Sequence, residues 1–206
     1  MRTRVKICGI TRLEDVHASV AVGADAIGLV FYAPSPRALK PQQAARLVDA
    51  LPPFVQSVAL FVNPTAAEVD DVLQTVRPGL LQFHGDESPE FCAGFGVPWM
   101  KACRIKPGVD LLEYFTRYPD TRAWLADAWV EGYGGAGQRF DWNVLPQQRR
   151  KPLILSGGLS PENVAAAIHQ VKPWAVDVSS GVESAPGLKD AAKLAMFMKE
   201  VRNADL

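Results

Sequence analysis

The sequence predicts an α/β protein built as a single (β/α)8 barrel (TIM barrel) with eight parallel strands, and three observations lead there. Short apolar runs alternate with helical patterns along the whole chain, and most runs are rich in Val, Ile, Leu or Phe, as parallel strands covered on both faces are. Polar residues and glycines follow those runs, where a barrel places its chemistry. Eight βα units in 206 residues leave about 26 residues each, which is compact but sufficient. No composition shift, low-complexity tract or long linker marks a boundary, so residues 1–206 read as one domain. Alternation alone does not show that a sheet closes, and a doubly wound open sheet is the alternative architecture.

The expected strands are Arg4–Cys8, Ala26–Phe31, Val55–Val62, Leu80–Phe83, Trp99–Cys103, Ala123–Asp127, Pro152–Leu155 and Ala175–Val178. A helix is predicted between each strand and the next and after the last, giving eight. Thr11 and Glu14 have capping-box spacing, and Leu13, Val16 and Val20 then fall on one face before Gly23. Thr65 and Glu68 repeat the box ahead of Val69, Val72, Leu73 and Val76. Ser88-Pro89 and Ser160-Pro161 each put a cap residue before a proline suited to a first helical turn. The last helix is expected from about Lys189 to Val201, burying Leu194, Phe197 and Val201.

Composition narrows the function classes. Lys plus Arg and Asp plus Glu are 22 each, so no strongly basic surface for nucleic acid is expected. The longest apolar run falls far short of the ~20 residues of a membrane span, and the opening Met1-Arg2-Thr3-Arg4-Val5-Lys6 leads into a strand rather than a signal-peptide core. Cys8, Cys92 and Cys103 are an odd set without a C-x-x-C pair or zinc-ligand spacing, which suits a reducing, cytoplasmic setting.

The strand ends carry the chemistry. The first ends in Lys6-Ile7-Cys8-Gly9-Ile10-Thr11, and the second leads to Tyr32-Ala33-Pro34-Ser35-Pro36-Arg37. The fourth ends in Gln82-Phe83-His84-Gly85 and the sixth in Leu125-Ala126-Asp127. Gly157-Gly158 after the seventh, and Ser179-Ser180-Gly181 after the eighth, form the pattern of a phosphate cradle: glycine admits close approach of backbone N–H groups, and a short extra helix is expected there. Two ordinary glycine turns are the bland alternative.

Lys6 and Cys8 share a strand face, and an ammonium beside a thiol favours thiolate, although a free cysteine is more often a small core hydrophobe. Cys92 lies in an expected helix and reads as inert, while Cys103 ends a strand without comparable neighbours. Asp127 either caps a turn or acts as an acid with a raised pKa. His84 is a base, a substrate donor or a core histidine; Arg37 is a bidentate carboxylate clamp or an exposed, idle arginine. Tyr133-Gly134-Gly135-Ala136-Gly137 either closes over substrate or is a simple connection. On the residues alone the reading stops at a phosphate-binding barrel enzyme.

Several segments in fixed order go further: Val5-Lys6-Ile7-Cys8-Gly9-Ile10-Thr11, Gln82-Phe83-His84-Gly85, Asp127 through Tyr133-Gly134-Gly135-Ala136-Gly137, Phe140-Asp141-Trp142, Leu155-Ser156-Gly157-Gly158-Leu159 and Ala175-Val176-Asp177-Val178-Ser179-Ser180-Gly181-Val182-Glu183. On these the chain resembles the phosphoribosylanthranilate isomerase family of tryptophan biosynthesis, over nearly its whole length. The resemblance implies an Amadori rearrangement without metal or organic cofactor, with Cys8 as general base and Asp127 as general acid. It implies further that Arg37 holds the anthranilate carboxylate, and that Gly157, Gly158, Ser179, Ser180 and Gly181 hold the phosphate on the opposite side of the mouth. Asp177 would orient polar groups beneath the site, and Gln82 and His84 would line the pocket. The partner implied is the small-molecule substrate, with no nucleic acid and no membrane, in a monomer or weak homodimer.

Two departures from the family pattern stand out. Ala136 occupies a position where a hydroxyl residue is common, and Phe83 replaces an aliphatic residue. Rival readings are another sugar-phosphate isomerase or epimerase, a ring-closing synthase, and a non-catalytic phosphate-ligand binder. A metal-dependent epimerase needs clustered ligands, whereas the histidines stand at 17, 84 and 169. The synthase's lysine pattern is absent, and a binder needs neither thiolate nor acid.

Overall fold

The computed structural model describes residues 2–106, 108–128 and 140–206. Strands β1 (Arg4–Cys8), β2 (Ala26–Phe31), β3 (Gln56–Phe61), β4 (Leu80–Phe83), β5 (Trp99–Ile105), β6 (Trp124–Ala128), β7 (Leu153–Leu155) and β8 (Ala175–Val178) pair in parallel and in chain order. β8 pairs back onto β1, with Arg4 beside Ala175 and Lys6 beside Asp177, so the sheet is a closed barrel and not an open doubly wound one. Four strands keep their expected bounds; β5 runs two residues further and carries Arg104 into the barrel wall.

Seven α-helices cover the barrel among the described residues: α1 (Leu13–Ala21), α2 (Pro41–Val48), α3 (Ala66–Thr75), α4 (Pro89–Ala93), α5 (Leu111–Thr116), α6 (Val164–Val171) and α7 (Ala191–Ala204). Eight were expected; between β6 and β7 the described chain forms a three-residue 3-10 helix, Trp142–Val144. After β8 a 3-10 helix, Ser180–Val182, leads into a small antiparallel hairpin of β9 (Glu183–Ala185) and β10 (Leu188–Lys189). The Tyr133-Gly134-Gly135-Ala136-Gly137 segment lies outside the described residues.

Local chemistry explains most helix starts. Thr65 accepts from the Glu68 amide, and the Glu68 carboxylate returns to the Thr65 amide, closing the expected box on α3. Ser88 caps α4 and Asp190 caps α7. Two expected caps do not form. Thr11 instead donates to the Gly187 carbonyl at 2.5 Å, leaving extended Arg12 at the N-cap of α1, with Leu13 44% exposed at the first position. At Ser160 the Asn163 side chain intervenes, accepting from the Ser160 amide at 2.9 Å and donating to the Gly158 carbonyl at 2.8 Å. That tight turn delays α6 to Val164.

Strand alternation sorts the core into two shells. Val58, Met100, Ala102, Ala123, Leu125, Ile154 and Ala175 fill the barrel interior. Outward residues such as Val5, Ile7, Leu29, Phe61, Phe83, Leu155 and Val176 meet the helices. Phe83 is therefore no pocket residue. It is fully buried under the helices, stacked near Phe61 at 6.1 Å and edge-on to Phe91 at 5.9 Å, which accounts for an aromatic at this place. No helix among the described residues is long and apolar enough to cross a membrane.

Candidate active site

The inward face of β1 presents Lys6 and then Cys8. Parallel register sets Lys6 directly beside Asp177 of β8, and the ammonium donates to its carboxylate at 2.8 Å, both groups being buried. Burial works against the Lys6 charge, but Asp177 and then Cys8 outweigh it and its pKa is raised. The same register places Cys8 opposite Gly28 of β2. A Cβ at Gly28 would stand 2.6 Å from the Cys8 sulfur and 3.1 Å from Lys6 Cε, so the glycine makes the room that thiol and ammonium occupy. Burial pushes the Cys8 thiol up; Lys6 pulls it back only in part, and Asp177 adds to the rise. The expected ammonium is in place, but burial prevails.

The other two cysteines separate from it clearly. Cys92 and Cys103 are buried in the outer shell, and burial pushes each thiol to about 12.

The Asp127 side of the mouth is built from β4 and β6. Asp127 alternates with Ala123 and Leu125, whose side chains fill the interior, so it faces the same mouth as Cys8, with β7 and β8 between them. Its Oδ2 lies 3.0 Å from His84 Nε2, and its Oδ1 accepts from the Ala128 amide at 3.0 Å. Gln82 Nε2 stands 2.9 Å from His84 Nδ1. With the amide donating to Nδ1, the imidazole proton sits on Nε2 and points at the carboxylate. A protonated Asp127 fits the same contact if the Gln82 amide turns over; in the present orientation Gln82 Oε1 is buried without a hydrogen-bond partner among the described residues. Gln82 and His84, expected as pocket wall, thus form a chain behind Asp127.

Arg37 is neither exposed nor idle. At 8% exposure it reaches the buried Glu183 at the start of β9 with two bonds, Nε to Oε1 at 2.8 Å and Nη2 to Oε2 at 2.6 Å. Its neighbour Gly9 adopts φ +76°, and a Cβ there would meet Arg37 Cδ and, at 3.1 Å, Ser179 Oγ. Arg37 and the β8 loop are therefore adjacent. Of the residues expected to hold the carboxylate and the phosphate on opposite sides of the mouth, Arg37 and Ser179 both border Gly9, and β8 neighbours β1.

The β7 and β8 loops meet as expected. Gly157 and Gly158 adopt φ +88° and +63°, and a Cβ on Gly181 would fall 1.9 Å from the Leu159 carbonyl oxygen, so backbone touches backbone. Ser179 Oγ is buried and without a hydrogen-bond partner among the described residues, a donor ready for an anion. Ser180 opens the 3-10 helix beside it.

The sequence reading assigned no role to Gly28, Glu183, Lys189 or Arg104. Arg104 alternates with the interior residues Met100 and Ala102 and sits in register with Asp127, a position readable only once β5 is extended. Glu183 and Lys189 sit in a hairpin too short for any periodic signal.

A thiol with its ammonium, a carboxyl group with its imidazole, and an anion cradle at the C-terminal mouth define a (β/α)8-barrel acid–base enzyme. The chain matches the family model for N-(5'phosphoribosyl)anthranilate (PRA) isomerase over residues 5–200. It is 52% identical over 205 residues to the N-(5'-phosphoribosyl)anthranilate isomerase of Dechloromonas aromatica, covering 100% of this chain and 99% of that one. The crystal structure of phosphoribosyl anthranilate isomerase from Thermotoga maritima superposes with a TM-score of 0.90 at 43% identity, covering 98% of this chain and 99% of that one. A crystal structure of phosphoribosyl anthranilate isomerase in complex with reduced 1-(o-carboxyphenylamino)-1-deoxyribulose 5-phosphate superposes with a TM-score of 0.87 at 42% identity, covering 98% of this chain and 99% of that one. The chain belongs to the N-(5'-phosphoribosyl)anthranilate isomerase family.

Proposed function

We propose that residues 1–206 form one catalytic domain that converts N-(5'-phosphoribosyl)anthranilate into 1-(2-carboxyphenylamino)-1-deoxyribulose 5-phosphate, a step of tryptophan biosynthesis, in the cytoplasm. One observation carries the assignment of roles: a thiol and a carboxyl group stand on the inward faces of β1 and β6, each backed by its own buried partner chain. Asp127 protonates the furanose ring oxygen; the C1–O bond breaks and the nitrogen lone pair forms the C=N bond of a Schiff base. The Cys8 thiolate then removes the proton from C2. The C–H electrons become the C1–C2 double bond, the C=N pair returns to nitrogen, and the enolamine tautomerises to the ketone. Lys6 holds positive charge beside the sulfur while it is anionic, and Asp177 holds Lys6. Gly157, Gly158, Ser179, Ser180 and Gly181 receive the phosphate, and Arg37 the anthranilate carboxylate.

The test follows the loss of fluorescence of freshly generated phosphoribosylanthranilate against its spontaneous decay. Wild type is expected to accelerate it. Cys8→Ser is expected to lower kcat by about 10²–10⁴ while keeping KM close to wild type. A folded wild type that leaves the decay unchanged overturns the reaction; a serine variant at wild-type rate overturns the base.

A further inference from the structure

The hairpin after β8 has no part in the acid–base scheme, yet it holds two buried charges. Glu183 is 7% and Lys189 5% exposed, and Lys189 Nζ lies 2.8 Å from Glu183 Oε1. The same ammonium donates to the Cys8 carbonyl at 2.6 Å and to the Ser179 carbonyl at 3.2 Å. Lys189 therefore ties together the end of the base strand, the start of the anion loop and the carboxylate that grips Arg37. The hairpin is anchored in turn: Thr11 donates to the Gly187 carbonyl, the Lys189 amide to Asp15 at 3.2 Å, and Lys193 to the Glu183 carbonyl at 2.7 Å. Burial disfavours the Glu183 charge, but Arg37 and Lys189 together keep its carboxyl below the usual range; at Lys189 burial outweighs Glu183 and lowers the ammonium's pKa, so the cluster sets two basic groups on one carboxylate.

Its geometry has a direction. Glu183 occupies Nε and Nη2 of Arg37, and Nη1 has no hydrogen bond to any described residue. The guanidinium's plane is fixed by two bonds, and its remaining nitrogen is left for a further acceptor. We infer that Glu183 is a positioning residue for substrate selection: with Lys189 it aims the free edge of Arg37 so that one aromatic carboxylate completes the cluster. This rests on the reading of Arg37 as the carboxylate's partner. An unheld arginine would pay the ordering of its long side chain at each binding event; one already held by Glu183 does not.

The experiment compares two substrates, phosphoribosylanthranilate and its analogue made from aniline, which lacks the carboxylate, with product quantified by chromatography. Glu183→Gln is expected to raise KM for the anthranilate substrate about tenfold, which corresponds to roughly 1.4 kcal/mol, with little change in kcat and little change in kcat/KM for the aniline substrate. Glu183→Asp, which keeps the charge but shortens the reach, is expected to raise KM in the same sense. If Glu183 only balances charge, the aspartate behaves as wild type and the glutamine lowers KM, which overturns positioning. Equal losses on both substrates for the Glu183 variants indicate a structural role and also overturn it. Arg37→Ala tests the underlying reading separately. A loss confined to the anthranilate substrate supports it, and an equal loss on both substrates means that Arg37 serves another part of the ligand.

Discussion

The two halves of the barrel mouth solve opposite electrostatic problems with different materials. Around Cys8 the residues are charged and cross-linked: Lys6 is held by Asp177, and Lys189 and Arg37 are held by Glu183. Around Asp127 they are a histidine and an amide in a line, with Arg104 of β5 in register beside it. A thiol that acts as a base must lose its proton, and the fixed Lys6 ammonium opposes the burial that raises the Cys8 pKa. The contrast is one of materials: fixed ion pairs on the thiol's side, and a hydrogen-bonded imidazole and amide behind the carboxyl group, on strands separated by β7 and β8.

Removing the acid should break this comparison most severely. Asp127→Asn keeps the shape and the contact to His84 but has no proton to give, and kcat is expected to fall by about 10²–10⁴ with a small change in KM. Steady-state kinetics on a variant with an unchanged melting profile checks it; near-normal turnover would show that the ring opens without this acid.

Next in size is a change that adds atoms rather than removing them. Gly28→Ala puts a methyl group 2.6 Å from the Cys8 sulfur and 3.1 Å from the Cys8 Cα, and one of them has to move. Overpacking of this kind costs about 1–3 kcal/mol, so the fold should survive with a lowered Tm. Turnover is expected to drop by at least about tenfold, because small misplacements of a reacting group are expensive. A variant with lowered Tm and full activity would mean that the thiol's position beside Gly28 is not its working position.

How much of this was readable in advance follows from the range of the interactions involved. The strands, and with them Cys8 and Asp127, were legible because alternation is local and a barrel always presents its strand ends on one face. The pairing of the β7 and β8 loops was legible for the same reason. The Arg37–Glu183 bond spans 146 residues, and neither position has a pattern that betrays it. Thr11 and Ser160 look like caps in sequence, but tertiary partners outbid the helix ends: the Gly187 carbonyl takes the threonine, and the Asn163 side chain takes the Ser160 amide. Lys6 announced its relation to Cys8 by spacing alone, yet not the burial that decides the resulting balance.

That balance gives the smallest of the expected effects and the sharpest test of the charged half. Lys6 is the largest influence lowering the Cys8 pKa, ahead of the smaller opposing push from Asp177, while burial raises it above both. Removing Lys6 alone would leave Asp177 as an unpaired buried charge and put about 3–5 kcal/mol of stability at risk, so the informative variant is Lys6→Met with Asp177→Asn. With both charges gone the thiol loses more help than hindrance, and its pKa should rise further. The active form of the base is the thiolate, so kcat/KM in the free enzyme climbs with pH through the thiol's pKa, and the limb should move to higher pH. A displacement of about one pH unit lowers kcat/KM about tenfold at neutral pH and is recovered on going alkaline. A limb that stays where wild type has it, in a variant that still turns over, would mean that Lys189 and Arg37 carry the thiolate and that the Lys6–Asp177 pair is structural.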